Sequence, residues 1–415
     1  MRTNPLQRLS DAARGQLHGH ILPFWCGPAV DHEQGGWMAW LSNELHADRS
    51  KPKGLIVHAR ILWAFSAAYR NEARPVYRQM ADRALDYLVS RFVDREHGGA
   101  FWRLTDSGAV LDPVKKTYGQ AFCIYALSEY HRTFGNAAAL RQARELFDCV
   151  ESHAHDEGQG GYFEVCSRDW TTVVDEALSE KDLNEKKSMN SHLHVLEAYT
   201  NLRRVWNDPR VGVRLRELIL LFEDRILDRR TFHLHHFFDD CWRVRSNTCT
   251  FGHDIEASWL LCEAAELLGD SALTGRVRSL AVRIADAVLT QGIDATGALC
   301  YEGRDGAVLD ARKECWPQAE AVVGFLNVYS ISGEQRFLEA AARVWDFMEN
   351  HLVDRVHGEW FWRILGDGMP DPSLPKVSEW KGPYHGTRMC LETIERAGVL
   401  GGEGTHPLST KVPAG

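Results

Sequence analysis

A short Asp/Gly motif recurs six times along the chain, and its spacing constrains the fold more than any other feature. Its clearest copies, residues 94–103 and 354–363, read DREHGGAFWR and DRVHGEWFWR. The copies begin at Asp31, Asp94, Asp156, Asp228, Asp294 and Asp354. Successive aspartates lie 60 to 72 positions apart. Regular spacing of this kind indicates six structural units of one type.

Each unit shows the same order of local patterns. A helical stretch such as residues 84–92, with apolar side chains three or four positions apart, comes first. The Asp/Gly motif ends it, because glycine permits the positive φ of a tight turn. An aromatic run, which predicts a short strand, and a polar linker follow. Second helices are then predicted to begin near Gly54, Tyr118, Met189, Phe251, Trp316 and His385.

Six helix pairs can form an open solenoid or a closed ring. The second helices are apolar on nearly every face, as in residues 59–68, and such helices are buried ones. An open solenoid usually has more uniform repeats and polar end units. We therefore predict an all-α fold, an (α/α)6 barrel of six helical hairpins with short strands in the connecting loops. Residues 1–400 would form one catalytic domain, and residues 401–415, rich in Gly, Pro and Thr, a flexible tail.

Composition excludes several classes of protein. The net charge is −9 with no basic block, which argues against nucleic acid as a partner. No apolar run is long enough to span a membrane, and the N-terminus lacks the apolar core of a secretory signal. The ten cysteines are scattered without a C-x-x-C pair, as expected in a reducing compartment. We expect a cytoplasmic monomer or homodimer.

Polar side chains gather at the predicted N-terminal turns of the second helices. In a ring of parallel inner helices, these turns face one mouth of the barrel. The group comprises His58, Arg60, Tyr118, Gln120, Asn190, His192, His194, His253, Asp254, Glu256, Trp316, Gln318, Glu320, His385 and Arg388. Any one of them could be a helix cap or a core hydrogen-bonding residue. Histidines in the same register of three helices favour a functional site.

His192 is interpreted as structural, because it points about 200° away from His194 on a helix. The run His233–Leu234–His235–His236 receives no role.

Metal ligation by His194, His253 and His385 is an alternative. The set lacks a compact motif such as H-E-x-x-H, and Arg60 nearby would repel a cation. Neither a phosphate-binding loop nor a dinucleotide fingerprint is present. We therefore expect no metal and no cofactor.

Histidines without metal or cofactor suit proton abstraction next to a carbonyl. Imidazole titrates near pH 6.5, so one histidine can act as base while another acts as acid. An arginine and an asparagine amide can hold the oxygens of the enediolate that forms. Trp316 and Trp380 offer flat faces for a sugar ring.

At these residues the sequence resembles the N-acylglucosamine 2-epimerase superfamily, and most of all its cellobiose 2-epimerase branch. The likeness covers nearly the whole chain. It is carried by residues 53–63, 117–122, 184–194, 252–256, 316–320 and 380–385. It implies an (α/α)6 barrel that inverts C2 of a reducing-end aldose through ring opening and a cis-enediolate.

The resemblance also implies a role for each site residue. His253 and His385 would transfer protons on opposite faces of C2, and His194 would assist ring opening or stabilise the intermediate. The remaining residues would contact the sugar or orient the groups that do: Arg60 and Asn190 at the enediolate oxygens, Tyr118 lining the pocket, Trp316 and Trp380 holding the sugar, and Asp182 and Glu256 orienting it or the histidines.

Two departures from the branch leave the substrate open. His58 stands where the branch usually has Asn, and Cys315 precedes Trp316 where it usually has a tryptophan pair. We expect both near the mouth, where they would affect substrate length.

A mannose 2-epimerase on free monosaccharide and a mannose–fructose isomerase remain rivals, and action on N-acetylated sugars ranks lower. From other classes, a glycoside hydrolase using Glu256, Glu320 or Asp182 and a sugar-binding protein also remain.

Overall fold

The computed structural model describes residues 4–173, 177–178 and 182–401, and its centre is a ring of six buried helices. The inner helices are α3 (Leu55–Asn71), α5 (Thr117–Phe134), α7 (Met189–Val205), α9 (Phe251–Leu268), α11 (Cys315–Ser332) and α13 (Tyr384–Leu400). Each packs against the next, and α13 packs against α3, which closes the ring. The fold is the predicted (α/α)6 barrel.

A second layer of helices surrounds the ring. It consists of α1 (Pro5–Gln16), α2 (Leu22–Cys26), α4 (Pro75–Tyr87), α6 (Ala137–His153), α8 (Pro209–Leu221), α10 (Ser271–Gln291) and α12 (Gln335–Phe347). Four outer helices continue into one turn of π-helix, at Leu17–Ile21, Leu88–Phe92, Phe222–Ile226 and Met348–Leu352. Outer helices bury one face only, as α4 does through Tyr77, Ala81 and Ala84, whereas α3 is buried without a break from Leu55 to Ala68.

Short strands join neighbouring units at one end of the barrel. They are β1 (Lys53–Gly54), β2 (Arg103–Leu104), β3 (Val110–Asp112), β4 (Lys115–Lys116), β5 (Val165–Cys166), β6 (Lys187–Ser188), β7 (Phe237–Phe238), β8 (Cys249–Thr250), β9 (Glu302–Arg304), β10 (Ala307–Asp310), β11 (Lys313–Glu314) and β12 (Arg363–Ile364). The strand before each of five inner helices pairs antiparallel with a strand of the next unit: β1 with β2, β4 with β5, β6 with β7, β8 with β9 and β11 with β12.

The two ends of the barrel differ in the length of their connections. The long connections, with the Asp/Gly turns and strands, all precede inner helices and therefore lie at the N-terminal mouth. At the other end an inner helix passes to its outer helix in a tight turn, and Gly135, Gly269 and Gly333 end three inner helices in the left-handed conformation. Functional sites usually form on long loops that a rigid scaffold holds. We therefore expect the functional site at the mouth.

Buried ion pairs fasten the Asp/Gly turns to the barrel. The anchor aspartate accepts a hydrogen bond from a lysine that precedes an inner helix, as Lys53 does to Asp31 at 2.8 Å and Lys115 to Asp94 at 2.9 Å. The other pairs are Lys187 with Asp156, Lys313 with Asp294 and Lys376 with Asp354. The other oxygen of these aspartates accepts backbone N–H groups within its own turn, as Asp31 does from Glu33 and Gln34.

The six inner helices begin within one residue of their predicted starts. Residues 402–415 of the predicted flexible tail lie outside the described residues, so that prediction stands as made. Within the described ranges, no helix is both long and apolar enough to cross a membrane.

Candidate active site

Two of the predicted histidines share one aromatic platform at the mouth. His253 on α9 and His385 on α13 are both partly exposed. Their rings lie 4.7 and 5.5 Å, centroid to centroid, from the indole of Trp316 at the start of α11. We call the space bordered by these three rings the slot; its two flanks are the rings of His253 and His385, and each can carry a proton.

His385 and His194 are each held by a buried carboxylate. Nδ1 of His385 lies 2.7 Å from Oε1 of Glu320, and Nδ1 of His194 lies 2.9 Å from Oε2 of Glu197. A carboxylate accepts, so in each ring Nδ1 carries a proton and Nε2 is left to exchange one with a substrate. The partner thus fixes both the tautomer and the orientation of the ring.

One guanidinium joins the carboxylates beneath these rings. Arg388 is 1% exposed and donates to Glu197, to Glu256 at 2.5 Å and to Glu320 at 2.7 Å. Tyr384 donates its hydroxyl to Glu197. His194 and His385, on helices from different units, are therefore connected through Glu197, Arg388 and Glu320.

The electrostatics of the slot favour neutral histidines. Burial lowers the pKa of His253 well below its ordinary value, and His236, His194, His385 and Arg60 act in the same direction. Burial likewise lowers the pKa of His385 well below its ordinary value, with further contributions from Arg60 and Arg388. A neutral imidazole is the form that can accept a proton.

The acidic residues below the slot respond differently to burial. Burial raises the pKa of Glu256 to about 7, and Glu320 adds to the effect while Arg388 opposes it. Burial also acts to raise the pKa of Glu197, but Arg388 and His194 outweigh it and lower that pKa to about 2. Glu197 is therefore held in its charged form beside Arg388.

A second group of predicted residues closes one side of the pocket. Arg60 donates to the hydroxyl of Tyr118 at 2.8 Å and to the backbone carbonyl of Trp380 at 3.3 Å. Tyr118 packs edge-on against His194, with ring centroids 4.9 Å apart, and against Trp380 at 6.0 Å. The positive charge of Arg60 is thus placed between the aromatic wall and the histidines.

Among the residues predicted to contact the sugar, two polar atoms find no hydrogen-bond partner in the part of the chain that the structure describes. They are Nε of Arg60 and Oδ1 of the half-buried Asn190, at the start of α7. A buried polar atom costs free energy unless something satisfies it. Both suit a ligand that carries several oxygens and hydroxyls.

His253 has a different partner from the other two histidines. Its Nδ1 lies 2.5 Å from the hydroxyl of Thr250, one residue before α9. His236 lies next to it, with ring centroids 5.9 Å apart, and its Nε2 accepts the backbone N–H of Thr250. The histidine run without a predicted role therefore contributes His236 to the surroundings of His253.

His58 does not join the other predicted site residues. It is 1% exposed, and its Nδ1 bonds the carbonyl of Gly54 while its Nε2 accepts the N–H of Trp37. Its ring stacks on Tyr87. With both nitrogens used by the backbone, His58 supports the Asp/Gly turn of the first unit and does not line the mouth. His192 is used in the same way, by Ser188 and Tyr162.

Asp182 lies in the loop before α7, and it is half-buried. Burial raises the pKa of Tyr118 above its ordinary range, and the carboxylate of Asp182 acts in the same direction. Asp182 is therefore within electrostatic reach of the pocket.

The strongest cluster of potential metal ligands at the mouth is already neutralised by the protein. Carboxylate and ring atoms of Glu256, Glu320 and His385 lie within 4.8 Å of one another. The guanidinium of Arg388 pairs with both glutamates, so a positive charge already occupies the position a cation would take.

Sequence reasoning missed the carboxylate and hydroxyl partners of the histidines. Glu197 and Thr250 were not among the candidates. Arg388 was noted only as a polar residue near the mouth, and Glu320 only as such a residue and as a possible carboxylate of a hydrolase. A local signal existed, because His194 and Glu197, like His385 and Arg388, are three positions apart on one helix face.

The fold and this site together define a class, an (α/α)6-barrel protein with a histidine pair at its N-terminal mouth. The profile of the family described as N-acylglucosamine 2-epimerase matches residues 36–386. A cellobiose 2-epimerase of Bacteroides fragilis is 43% identical over 93% of this chain and 98% of its own length.

Solved structures agree with the sequence comparison. The cellobiose 2-epimerase of Bacillus thermoamylovorans superposes with a TM-score of 0.89 at 38% identity, covering 94% of this chain and all of that one. The cellobiose 2-epimerase of Spirochaeta thermophila superposes with a TM-score of 0.88 at 40% identity, covering 95% and 98%. The chain belongs to the N-acylglucosamine 2-epimerase family.

Proposed function

We propose that the chain is a sugar 2-epimerase that interconverts the glucose and mannose configurations at C2 of a reducing-end aldose, with a cellobiose-type β-1,4-disaccharide as its favoured substrate. The single observation that carries the chemistry is the slot formed by His253, Trp316 and His385. Relatives that are 36–43% identical over nearly the whole chain are cellobiose 2-epimerases, which supports the choice of substrate.

The reaction follows from the arrangement of these groups. After ring opening, assisted by His194, the neutral histidine on one flank takes the C2 proton. The electrons of the C–H bond form the C1–C2 double bond, and the carbonyl pair moves to O1 as an enediolate. Arg60 and Asn190 stabilise its oxygens. The histidine on the other flank must enter this step as an imidazolium: it returns its Nε2 proton to the opposite face and becomes neutral, while the first ring leaves protonated. The pair keeps one proton throughout, so each ring is the base for one epimer and the acid for the other.

Two features argue against a hydrolase on the same barrel. Hydrolysis of a glycosidic bond needs two carboxyl groups that face the bond. Glu256 and Glu320 are at most 1% exposed and are both paired with Arg388. Their position suits holding Arg388 and the histidines in place, and it does not suit attack on a sugar.

Proton NMR in D2O tests the proposal with EDTA-treated protein and either cellobiose or mannose. We expect deuterium at C2 together with the C2 epimer, and the faster substrate identifies the sugar class. A ketose product would reassign the reaction to aldose–ketose isomerisation. Cleavage without exchange would overturn the proton-transfer mechanism in favour of hydrolysis.

The histidine pair is tested separately in the same assay. His253→Asn and His385→Asn should each slow C2 exchange by about 10²–10⁴-fold, the usual contribution of a general acid or base. The matched control is His235→Asn, since His235 lies in the neighbouring loop and takes no part in the slot. Loss of exchange in the control would mean a general structural effect of substitutions in this region. Sugar binding without turnover and without dependence on either histidine would favour a binding protein.

We further propose that the protein works in a reducing, cytoplasmic setting. All ten cysteines are free thiols, and seven of them are buried. Electrophoresis of the denatured protein after alkylation, with and without reductant, should show ten modified thiols in both samples.

A further inference from the structure

A second cavity lies at the end of the barrel opposite to the histidines. It has a volume of about 360 Å³ and is lined by the C-terminal turns of the inner helices. Trp63 and Tyr125 belong to its lining, and their rings stack with centroids 5.3 Å apart. Small-molecule sites are typically concave, about 300–1,000 Å³ in volume and partly aromatic, so the cavity has the dimensions of one.

The charges around this cavity are balanced within the protein. The arginines that line it are each paired with a glutamate, as Arg70 is with Glu129 at 2.8 Å and Arg396 with Glu392 at 3.0 Å. Paired guanidinium groups offer no net charge to an incoming ligand. A strongly anionic or cationic occupant is therefore disfavoured.

What the cavity does offer is an unsatisfied amide oxygen. Asn201 is 1% exposed and lines the cavity; its Nδ2 donates to the carbonyl of Tyr125 and to Glu129. Two acceptors on that side fix the orientation of the amide, and none of the described residues donates to Oδ1. A buried acceptor of this kind costs about 1–3 kcal/mol unless a donor reaches it.

Asn327 on α11, which also lines the cavity, offers the complementary group. Its Oδ1 accepts from Arg396 at 2.9 Å, which again fixes the amide, and its Nδ2 has only the sulfur of Cys262, a weak acceptor, beside it. The cavity thus presents one buried acceptor and one buried donor near two aromatic rings.

We infer that this cavity is a second binding site, separate from the histidine slot, for an uncharged polyhydroxy compound of the size of a monosaccharide. A hydroxyl group both donates and accepts, so one such ligand can satisfy Asn201 and Asn327 together. Its C–H faces can pack on the aromatic lining, while the balanced ion pairs favour a ligand without charge.

The two sites are divided by a single aromatic layer. Trp63 and Tyr125 pack edge-on against Tyr384, with ring centroids 5.3 and 6.1 Å apart. Tyr384 is also the residue that donates to Glu197 beneath the slot. A signal from Trp63 therefore reports on the cavity, and a signal from Trp316 reports on the slot.

Fluorine NMR of protein labelled with 5-fluorotryptophan distinguishes the two sites. The probe is methyl α-D-mannopyranoside, which cannot open its ring and is therefore not turned over. The two resonances are assigned with Trp63→Phe and Trp316→Phe. Ser330→Tyr narrows the cavity at its exposed rim, and Ser90→Tyr, on an exposed part of the outer layer, is the matched control.

We expect the Trp63 resonance to titrate with the mannoside in the unmodified protein and in Ser90→Tyr, and to lose that titration in Ser330→Tyr. The chemical shift of Trp316 should respond to the mannoside in the same way in the unmodified protein, Ser90→Tyr and Ser330→Tyr. A Trp63 resonance that never shifts, or that shifts equally in Ser330→Tyr, would overturn the inference. The cavity would then be a space filled by water. Neither result depends on C2 exchange, so the outcome is independent of the proposed epimerase activity.

Discussion

The three histidines of the mouth differ in the group that holds Nδ1. Glu320 holds His385, Glu197 holds His194, and the Thr250 hydroxyl holds His253. A carboxylate stabilises a protonated ring much more than a neutral hydroxyl does. The two flanks of the slot are therefore chemically unequal, and Glu320 is a positioning residue for His385.

Replacing Glu320 with glutamine should lower kcat about 10–100-fold with little change in KM, as for other residues that orient a reacting histidine. The amide keeps the shape but removes the charge that supports protonated His385. Steady-state epimerisation at several pH values measures the effect and should show an altered pH profile. Glu151→Gln is the matched control, because Glu151 accepts from two buried tyrosines far from the slot. An equal fall in kcat in both variants would mean a general structural effect.

The acidic limb of kcat/KM should lie well below pH 6.5. In the folded protein the pKa values of His253 and His385 are lowered by burial and by nearby positive charges. A base with a lowered pKa stays neutral to lower pH, so activity is retained as pH falls through the ordinary histidine range. A pH–rate profile of the free enzyme checks this, and an acidic limb at or above pH 6.5 would contradict it.

Sequence reasoning found the histidines of the site but not what holds them. The register of the repeat places His194, His253 and His385 in equivalent turns, which a single sequence can reveal. Arg388 contacts Glu197 from 191 positions away, and that distance along the chain leaves no local signal.

His58 was misassigned although a signal was present. It lies two positions before Arg60, as His192 lies two before His194, and that offset turns a side chain away from the mouth.

At the scale of the repeating element, a lysine–aspartate pair fastens each Asp/Gly turn in five of the six units. The fourth unit uses a different pair. Cys249 takes the strand position held by lysine elsewhere, and His233 of the turn pairs with Asp254 on α9 at 2.7 Å. Burial would lower the pKa of His233, but Asp254 outweighs it and raises that pKa to about 11. In this unit the turn supplies the positively charged residue, His233, and the inner helix supplies the negatively charged residue, Asp254.

Replacing Lys53 with methionine should reduce the free energy of unfolding by about 3 kcal/mol, since it leaves a buried carboxylate without its main partner. Both side chains of the Lys53–Asp31 pair have an exposed fraction of 0%. Urea denaturation measures the change. Lys51→Met is the matched control, because Lys51 is 52% exposed and its ion pair spans 4.0 Å. A similar loss in both variants would contradict a role for the buried pair.

The effect of Lys53→Met on stability should depend on pH, because the pKa of Asp31 differs between the folded and unfolded protein. Burial acts to raise the pKa of Asp31, but hydrogen bonds from Lys53, the backbone and Arg49 outweigh it and hold the pKa below its ordinary value. A lowered folded pKa stabilises the protein above the unfolded pKa of about 3.9, and that stability is lost as pH falls. The difference between Lys53→Met and the unmodified protein should therefore be largest near neutral pH and shrink below about pH 4.

The hydrophobic periodicity predicted the helices better than the ion pairs that hold the Asp/Gly turns to them. Apolar residues on all faces of residues 59–68 could only be buried, so the inner helix followed directly. The lysine partners could not be assigned in the same way. Lys53 follows Asp31 by 22 positions, and the sequence marks it only by its place two residues before an inner helix, which Lys115, Lys187 and Lys313 share.

At the scale of the whole molecule, one glutamate ties the last unit to the first helices. Glu359 stands where the first three units have glycine, and it has a φ of 61°. Its carboxylate accepts from the indole of Trp25 and from Lys381, each at 2.8 Å. The left-handed backbone is unfavourable for glutamate, yet these two bonds join the chain ends where the ring closes.

Glu359→Gly should still lower the free energy of unfolding, by about 2–4 kcal/mol. Glycine relieves the strained backbone by about 1 kcal/mol, but loss of a buried ion pair costs about 3–5 kcal/mol. Chemical denaturation followed by tryptophan fluorescence measures the net change. Gly358→Ala, at the neighbouring position with φ of 80°, is a control for backbone strain alone. Stabilisation by Glu359→Gly would show that the closure bonds contribute less than the strain.

The residues of the slot come from units spread along the whole chain. Arg60 lies in the first inner helix, His194 and His253 in the third and fourth, and His385 in the last. A polypeptide still emerging from the ribosome therefore lacks one flank of the slot until its final helix has been released and has docked. Sugar turnover begins only when the helix that carries His385 has docked, so enzyme activity is itself a report on whether the ring has closed.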